Sequence, residues 1–388
     1  MTYVVPADTS NGFSVDFSNF RSPIAGSVSC VAAAASVPST TTTPTDSTNI
    51  RSLQTSLTKS VSATSATNTA IDGGINTGFS DGGTSVGPGG GFINFAAEPQ
   101  SSTASRAEEA FAALGYTGTT KAPRGLRPER EWSAWADIRG TGWRADDTTG
   151  AGNNLTGSQI NLTMGVGRKL NADTLLGAVI GYENFRYDVA AINGSLKGDG
   201  ETVGGYFARR LGDTLRFDAA LAWSNVNYSA ASGAATGTFI GSRWLATTGL
   251  TGTLNLGAFI VEPSAKLHML WESQGAWTDS LGTAQAGRNF SAGRTALGAR
   301  IARPFAVLDG WKLSPSMGFY GDWRFSSDNA LPTGTVVANI GDGWSGRATA
   351  GLTATAPGGT MLLFNGEYGG LGANYKIWSG NARVVWPF

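Results

Sequence analysis

The chain has 388 residues, no formal net charge, 55 glycines and only 14% charged side chains. So much glycine with so little charge argues against an ordinary soluble domain, although the length is ample for a buried core. There is no dense Lys/Arg cluster, which argues against a nucleic-acid partner. A single cysteine and a single histidine exclude an intrachain disulfide and a His/Cys metal site, so we expect neither metal nor cofactor.

Residues 1–100 are rich in Ser, Thr, Ala and Gly. This composition predicts a thin core, and we interpret the segment as a passenger remnant or a linker. Apolar residues from Ile50 to Val61 recur at spacings of three and four. The spacing predicts one helix near 47–70.

Residues 101–130 carry the signals of a shorter helix followed by a linker. Ser105 and Glu108 have the spacing of a capping box, and Gly115 suits the C-terminal stop. Four apolar residues then share one face, which predicts an amphipathic helix over 103–115. The residues assigned to it are Ser105, Arg106, Ala107, Glu108, Glu109, Ala110, Phe111 and Leu114.

From residue 131 the period changes to two. Apolar and polar residues alternate most clearly over 259–272 and 312–325, and similar segments predict twelve strands between 131 and 388. One face of each strand is apolar and the other is polar. On the polar face we place Glu262, Lys266, His268, Glu272, Asp322 and Arg324.

The last strand ends in an aromatic residue. Every second residue back from the C-terminus gives one apolar face, which consists of Phe388, Trp386, Val384 and Ala382. Arg383 and Asn381 fall on the opposite face. Lipid outside and water or protein inside would impose this alternation on a membrane strand.

The connections and the hydropathy point to a closed barrel. No run of 18 apolar residues occurs, so strands are the remaining way to cross a bilayer. Tight turns alternate with longer loops, predicted at 144–157, 229–238, 273–286 and 326–342. Tryptophans at strand ends predict interfacial girdles, with Trp143, Trp244, Trp271, Trp277, Trp323 and Trp344 as members.

The predicted fold is therefore all-β: a twelve-stranded antiparallel transmembrane barrel at 131–388 with an N-terminal α-helix in the lumen, behind a low-complexity segment. A barrel of this size has room for one helix, and the predicted helix at 103–115 is the expected occupant. Met1 to Ser10 carry neither the basic nor the apolar region of an export signal. That leaves three interpretations open: a fragment, an upstream start, or a protein that is no outer-membrane barrel.

Enzymatic motifs are weak. Gly78 to Gly82 match the letters of a G-x-S-x-G nucleophile elbow, but that motif needs a strand-turn-helix context and a histidine partner. The only histidine, His268, lies within a predicted strand. We expect no catalytic residues and no enzymatic activity.

Several segments resemble the C-terminal translocator of the autotransporter (type V secretion) family. The resemblance rests on Glu367-Tyr368-Gly369-Gly370-Leu371, Asn374-Tyr375, Ser379-Gly380, the terminal Phe388, the stretch from Trp132 to Trp143, and residues 109–116. Residues 129–388 are covered well and residues 1–80 are not covered.

The resemblance implies an outer-membrane translocator and anchor that exports or displays an N-terminal passenger on a bacterial cell. It also implies that the barrel assembly machinery reads the last strand, and that the partners are outer-membrane lipid and the chain's own passenger, around a monomeric barrel without nucleic acid. Two alternatives remain at this point: a porin-like channel, which would lack a helix in the pore, and an outer-membrane barrel enzyme.

Overall fold

The computed structural model describes residues 43–56, 66–79, 131–147, 154–328 and 341–388. Within these ranges the chain forms two helices and twelve long strands. The helices are α1 (Thr45–Ser56) and α2 (Ala66–Gly78). The strands are β1 (Trp132–Ala145), β2 (Leu155–Asn171), β3 (Thr174–Val189), β4 (Gly194–Arg210), β5 (Leu215–Ser232), β6 (Ala235–Gly252), β7 (Phe259–Gln274), β8 (Arg288–Ala302), β9 (Lys312–Asp328), β10 (Gly343–Thr355), β11 (Met361–Leu371) and β12 (Tyr375–Pro387).

Each strand pairs antiparallel with its neighbours in sequence. The last strand, β12, returns to β1 in a register that runs from Ser133 opposite Pro387 to Ala145 opposite Tyr375. Backbone N–H and C=O groups between the two ends of the sheet are therefore satisfied, which is the condition for a sheet to stand in lipid. The predicted closed twelve-stranded barrel is confirmed.

Side chains alternate between lumen and outer surface as the period of two requires. On β12, Asn381 and Arg383 are buried on the luminal side, whereas Trp386 is 47% exposed on the outer side. Val384 and Ala382 share the outer face and are half-buried. On β2, the outward residues from Ile160 to Val166 are likewise exposed.

The two ends of the barrel differ. One end, called the turn end here, carries Trp132 and Phe388 and the connections 172–173, 211–214, 253–258, 303–311 and 356–360. The other, called the loop end, carries 146–154, 190–193, 233–234, 275–287, 329–342 and 372–374. The longest connections, 275–287 and 329–342, both belong to the loop end, and part of the second lies outside the described residues.

The loop predicted at 229–238 is wrong. β5 and β6 continue through it and are joined by Gly233 and Ala234 alone, with Gly233 at a positive φ of 54°. Ser, Ala and Thr dominate here, and this composition favours the prediction of a loop. An antiparallel ladder that extends beyond the bilayer tolerates polar residues on both faces, so composition does not mark its end.

The prediction is wrong for two of the six tryptophans that were assigned to the interfacial girdles. Trp143 is 1% exposed and faces the lumen, where its ring lies 4.7 Å from that of Tyr187. Trp277 stacks on Phe239, also on the luminal side, with ring centroids 5.3 Å apart. The other four are on the outer surface with exposures between 43% and 65%: Trp244, Trp271, Trp323 and Trp344.

The helices differ from the sequence-based expectation in position. α1 and α2 overlap the two ends of the helix predicted at 47–70, and α2 continues beyond it to Gly78. Residues 57–65 lie outside the described residues, as does the entire helix predicted at 103–115. In the described part of the chain, no helix is long and apolar enough to cross a bilayer.

Candidate functional site: the occupied lumen

Both helices contact the luminal wall of the β1–β6 half of the barrel. α1 contacts β4, β5 and β6, and α2 contacts β1, β2, β3, β4 and β6. Ile50 and Leu53 of α1 and Ile71 and Ile75 of α2 have essentially no exposed surface. These residues join the barrel's inward-facing aromatic and aliphatic side chains in one apolar cluster. The helices are thus part of the core of the barrel.

Polar contacts hold the N-terminal half of α1 at the loop end. A carboxylate oxygen of Asp46 accepts a hydrogen bond from the backbone N–H of Ala234 at 2.8 Å, in the β5–β6 turn. The Gln285 side chain donates to the Ser47 carbonyl at 3.1 Å. An acid in the first turn also complements the positive end of the helix dipole.

A cation caps the C-terminal end of α1. The guanidinium of Arg288 on β8 donates to the Gln54 carbonyl and, at 3.5 Å, to the Thr55 carbonyl. These carbonyls have no partner within the helix, so a buried arginine both satisfies them and complements the negative end of the dipole. The Gln54 side chain also donates to Gln274 at 2.8 Å.

A short hairpin at the loop end supports this arrangement. It pairs Trp277–Thr278 with Ala284–Gln285. Burial would raise the pKa of Asp279, but its hydrogen bonds outweigh burial and hold the pKa below its ordinary value. Among the donors are the backbone N–H of Thr283 at 2.9 Å and the Gln285 side chain at 3.1 Å. Asp279 therefore stays charged and holds the Gln285 side chain, which donates to the Ser47 carbonyl of α1.

α2 packs on the seam where the barrel closes. A Cβ at Gly74 would lie 2.4 Å from the Trp135 ring of β1, and one at Gly73 would lie 1.7 Å from the Arg383 guanidinium of β12. Both distances are shorter than real Cβ contacts, so another residue at either position would have to displace the Trp135 ring or the Arg383 guanidinium. Glycine inside a helix costs about 1 kcal/mol relative to alanine. The pair Gly73-Gly74 therefore lowers the helix propensity of α2 but lets its backbone approach Trp135 and Arg383 closely.

Arg383 links α2 to both strands of the seam. It donates to the Ala70 carbonyl of α2 at 2.8 Å and to the Asp137 carboxylate of β1 at 3.1 Å. Its guanidinium lies 5.0 Å from the centroid of the Trp135 ring. Asn381 donates to the same carboxylate at 2.7 Å. One buried cluster therefore joins β1, β12 and the pore helix.

A second buried cluster holds the middle of α2. Lys266 on β7 lies 3.0 Å from a carboxylate oxygen of Asp72 on α2 and 2.8 Å from one of Asp218 on β5. Arg216 adds a second cation, 3.4 Å from Asp218, and also donates to the Asn76 side chain of α2. Two carboxylates and two cations balance, which is the condition for burying charges.

The other polar residues predicted for the lumen all lie on the inner wall and are at most 8% exposed. Glu272 accepts a hydrogen bond from Arg243 at 2.9 Å, and Glu262 pairs with Arg300. His268 faces the lumen between Thr247 of β6 and Arg294 of β8 in the strand register.

Two of these predicted luminal residues lie on β9. Asp322 pairs with Arg347 at 2.7 Å, and Arg324 donates to the Tyr375 hydroxyl at 2.7 Å. Among the residues that the structure describes, Lys266 is the one of these six that forms an ion pair with α1 or α2. The described part of the β8–β12 wall is lined by ion pairs between its own strands.

The residues that hold the pore helices were missed from the sequence. Asp72, Gly73 and Gly74 lie in a segment assigned to low-complexity chain, and their partners are more than 60 residues away in sequence. Ile71 and Ile75, four apart, gave the one local sign of a buried helical face. No group of His, Cys, Asp and Glu in the described part of the chain is arranged to bind a metal.

The comparisons with known proteins agree with this architecture. The model of the "Autotransporter beta-domain" family matches residues 134–367. The β-domain of the Bordetella autotransporter BrkA aligns with a TM-score of 0.56 and 20% identity over 66% of this chain and 100% of that one. The transport unit of AIDA-I from Escherichia coli aligns with a TM-score of 0.52 and 15% identity, over 74% and 98% of the two chains. Among curated proteins, none matches the sequence.

Removal of the lysine between the two carboxylates tests the charge cluster. In Lys266→Met, Asp72 and Asp218 face each other across one remaining cation, and we expect the docked α2 to lose about 3–5 kcal/mol, the usual loss on breaking a buried pair. An added Asp72→Asn change restores the charge balance and should recover most of the loss.

The measurement is the rate of maleimide labelling at Ile75→Cys, a fully buried position, in a Cys30→Ser background. Lys197→Met, on the outer wall, is the control and should leave labelling slow. Equal labelling rates in Lys266→Met and the unsubstituted lumen would contradict the role assigned to the cluster.

Proposed function

The chain belongs to the autotransporter β-domain family, and on this premise we propose that α1 and α2 are the segment of the exported chain that stays in the pore. Membership defines the protein as an outer-membrane translocator of type V secretion, with a passenger N-terminal to the barrel. The observation that carries the proposal is the pair of buried polar anchors, one for each helix: Asp72 with Lys266, and Arg288 at the end of α1.

The order of the contacts supports a direction for the chain in the pore. Asp46 contacts the turn at Ala234 at the loop end, whereas Phe79 lies under Arg210 at the turn end, 5.0 Å from ring centroid to guanidinium carbon. In bacterial barrels the longer loops are extracellular and the short turns periplasmic. The N-terminal end of α1 would then face the cell surface, as the display of a passenger requires.

An open channel and an enzyme have less support. Within the described residues, α1 and α2 contact the luminal wall of β1–β6 and salt bridges line the β8–β12 wall, which disfavours a porin-like aqueous path. The chain has one histidine, His268, and its direct strand neighbours, Arg294 and Thr247, supply no carboxylate partner for it. We propose that the barrel has no enzymatic activity of its own.

Two further parts of the proposal concern assembly. Phe388 is 63% exposed at the turn end, and its backbone exchanges hydrogen bonds of 2.8 and 3.1 Å with Trp132. An exposed aromatic terminus beside the seam is accessible to the barrel assembly machinery. All strands of the barrel come from one chain, which supports a monomer.

The first expected outcome concerns conductance. Deletion of residues 43–79 should leave a barrel that still folds, judged by heat-modifiable migration, with markedly higher single-channel conductance in planar bilayers because its lumen is half empty. Deletion of residues 101–117 is the companion variant, since a helix predicted there was the expected pore occupant. If conductance rises in that variant and does not rise in the first, the helix predicted at 103–115 is the pore occupant and α1 and α2 are not.

The second expected outcome concerns direction. An epitope tag inserted before Thr43 should be reached by antibody on intact cells, and a tag inserted at Asp213 in a turn-end connection should be reached only after the outer membrane is opened. The opposite pattern would show that the chain runs through the pore the other way.

The third expected outcome concerns assembly. Deletion of Phe388 removes both its ring and its backbone pairing with Trp132, and should lower the amount of folded barrel in the outer membrane severalfold. Leu371→Ala, an exposed apolar residue at the loop end, is the control. Unchanged outer-membrane levels without Phe388 would argue that the assembly machinery reads another feature.

A further inference from the structure

The outer wall of the barrel carries a groove, with several polar outward side chains, next to its apolar band. The groove encloses about 820 Å³ and runs across the outer faces of β3, β4, β5 and β6 near the loop end. The outward side chains that line it include Asn184, Lys197, Asp199, Asn227, Ser229 and Thr238. Tyr228, Phe239 and Trp277 of the luminal cluster also line it, so the groove lies where the outer wall meets the aromatic side chains at the loop end.

The strand register locates this groove relative to the membrane. One row of directly opposed outward residues is wholly apolar and consists of Ile180, Val203, Trp223, Trp244 and Trp271. The next row towards the loop end is polar apart from the Tyr182 ring and contains Tyr182, Glu201, Asn225 and Ser242. Tryptophan rows mark the edge of the hydrocarbon region. The groove therefore begins where lipid headgroups, rather than acyl chains, lie against the wall.

Two cations oppose each other directly at the edge of the groove, where Lys197 belongs to its lining and Arg186 stands next to it. Arg186 of β3 and Lys197 of β4 are partners in the register on the outer surface. Like charges in this position repel. Arg186 is held by Asp188 at 2.8 Å, whereas Lys197 has no ion pair to any residue that the structure describes. A phosphate between the two side chains would relieve the repulsion and accept charge-assisted hydrogen bonds from both.

The adjacent row supplies a different chemistry. Asn184, Asp199 and Asn227 are consecutive across β3, β4 and β5, and the Asn227 amide lies 3.5 Å from the Asp199 carboxylate. Amides and a carboxylate offer donors and acceptors side by side, which matches the vicinal hydroxyls of a sugar. A simple phosphodiester headgroup would use the cations and leave this row unused.

We propose that this groove binds the phosphorylated sugar headgroup of a glycolipid in the outer leaflet, with the phosphate on Arg186 and Lys197 and sugar hydroxyls on Asn184, Asp199 and Asn227. The proposal rests on the orientation proposed above, in which the loop end faces the cell surface. The bound lipid would fix the height of the barrel in the membrane through the β3–β6 wall.

The test uses the full chain in detergent and native mass spectrometry. The probes are deep-rough lipopolysaccharide, phosphatidylglycerol and inorganic phosphate. The variant Arg186→Glu/Lys197→Glu should bind lipopolysaccharide at least about tenfold more weakly, since it removes both charge-assisted contacts. Arg209→Glu, an exposed cation on the same face of β4 at the turn end, should bind as the unsubstituted protein does. Asn227→Ala should weaken lipopolysaccharide and leave phosphatidylglycerol unchanged.

The outcomes separate this proposal from the orientation. Equal loss in the double variant and in Arg209→Glu would overturn the groove, as would equal affinity for phosphatidylglycerol or for inorganic phosphate. If the charge-reversed protein lacks heat-modifiable migration, Arg186→Gln/Lys197→Gln replaces it with the same expected direction. The surface-tag experiment measures the orientation of the barrel independently of lipid binding. A wrong orientation can therefore be told apart from an absence of lipid binding in the groove.

Discussion

Pairing of β1 with β12 is the constraint on which the other features depend. In lipid, an unpaired strand edge exposes backbone groups that find no partner, so the sheet must close on itself. On the luminal side of this seam, Asn381 and Arg383 both donate to Asp137, and α2 docks on Arg383 through the Ala70 carbonyl and the space left by Gly73. Closure of the barrel and occupation of its pore therefore share one set of contacts.

The lumen tolerates so much buried charge because nearly every charge is opposed. The helices meet β1–β6 through apolar side chains and are anchored by Lys266 of β7 and Arg288 of β8, while ion pairs such as Asp322–Arg347 line the β8–β12 wall. Buried ion pairs contribute little net stability compared with apolar packing, yet removal of one partner is costly. Such pairs consequently specify which segment fits the pore more than they add to its affinity.

The sequence predicted the barrel well and its contents poorly, for physical reasons. A strand with lipid on one side must alternate, so period two located the strands, their facing and the polar residues from Glu262 to Arg324 directly. Composition failed where the alternation continues above the membrane, as at 229–238, and where an aromatic side chain faces inwards, as Trp143 does. Both errors arose because residue type was given more weight than the alternation of side chains along the strand. That alternation places Trp143 on the same side as Asp137 and Arg139.

The sequence predicts a helix near 47–70, but the position of α1 and α2 in the pore was inaccessible to sequence analysis because their stability comes from the barrel. Isolated helices of 12 and 13 residues are marginal in water even for favourable sequences, and α1 and α2 are built from Ser, Thr, Asn and Gly, which are poor helix formers. The local sequence therefore gives the helices too little stability. The barrel supplies the rest, through capping by Arg288 and burial of four apolar side chains against the wall: Ile50, Leu53, Ile71 and Ile75. In the proposed role, a segment with so little intrinsic helicity would stay extended while it crosses the pore, and would become ordered only where the luminal wall provides partners for its apolar residues and carbonyls.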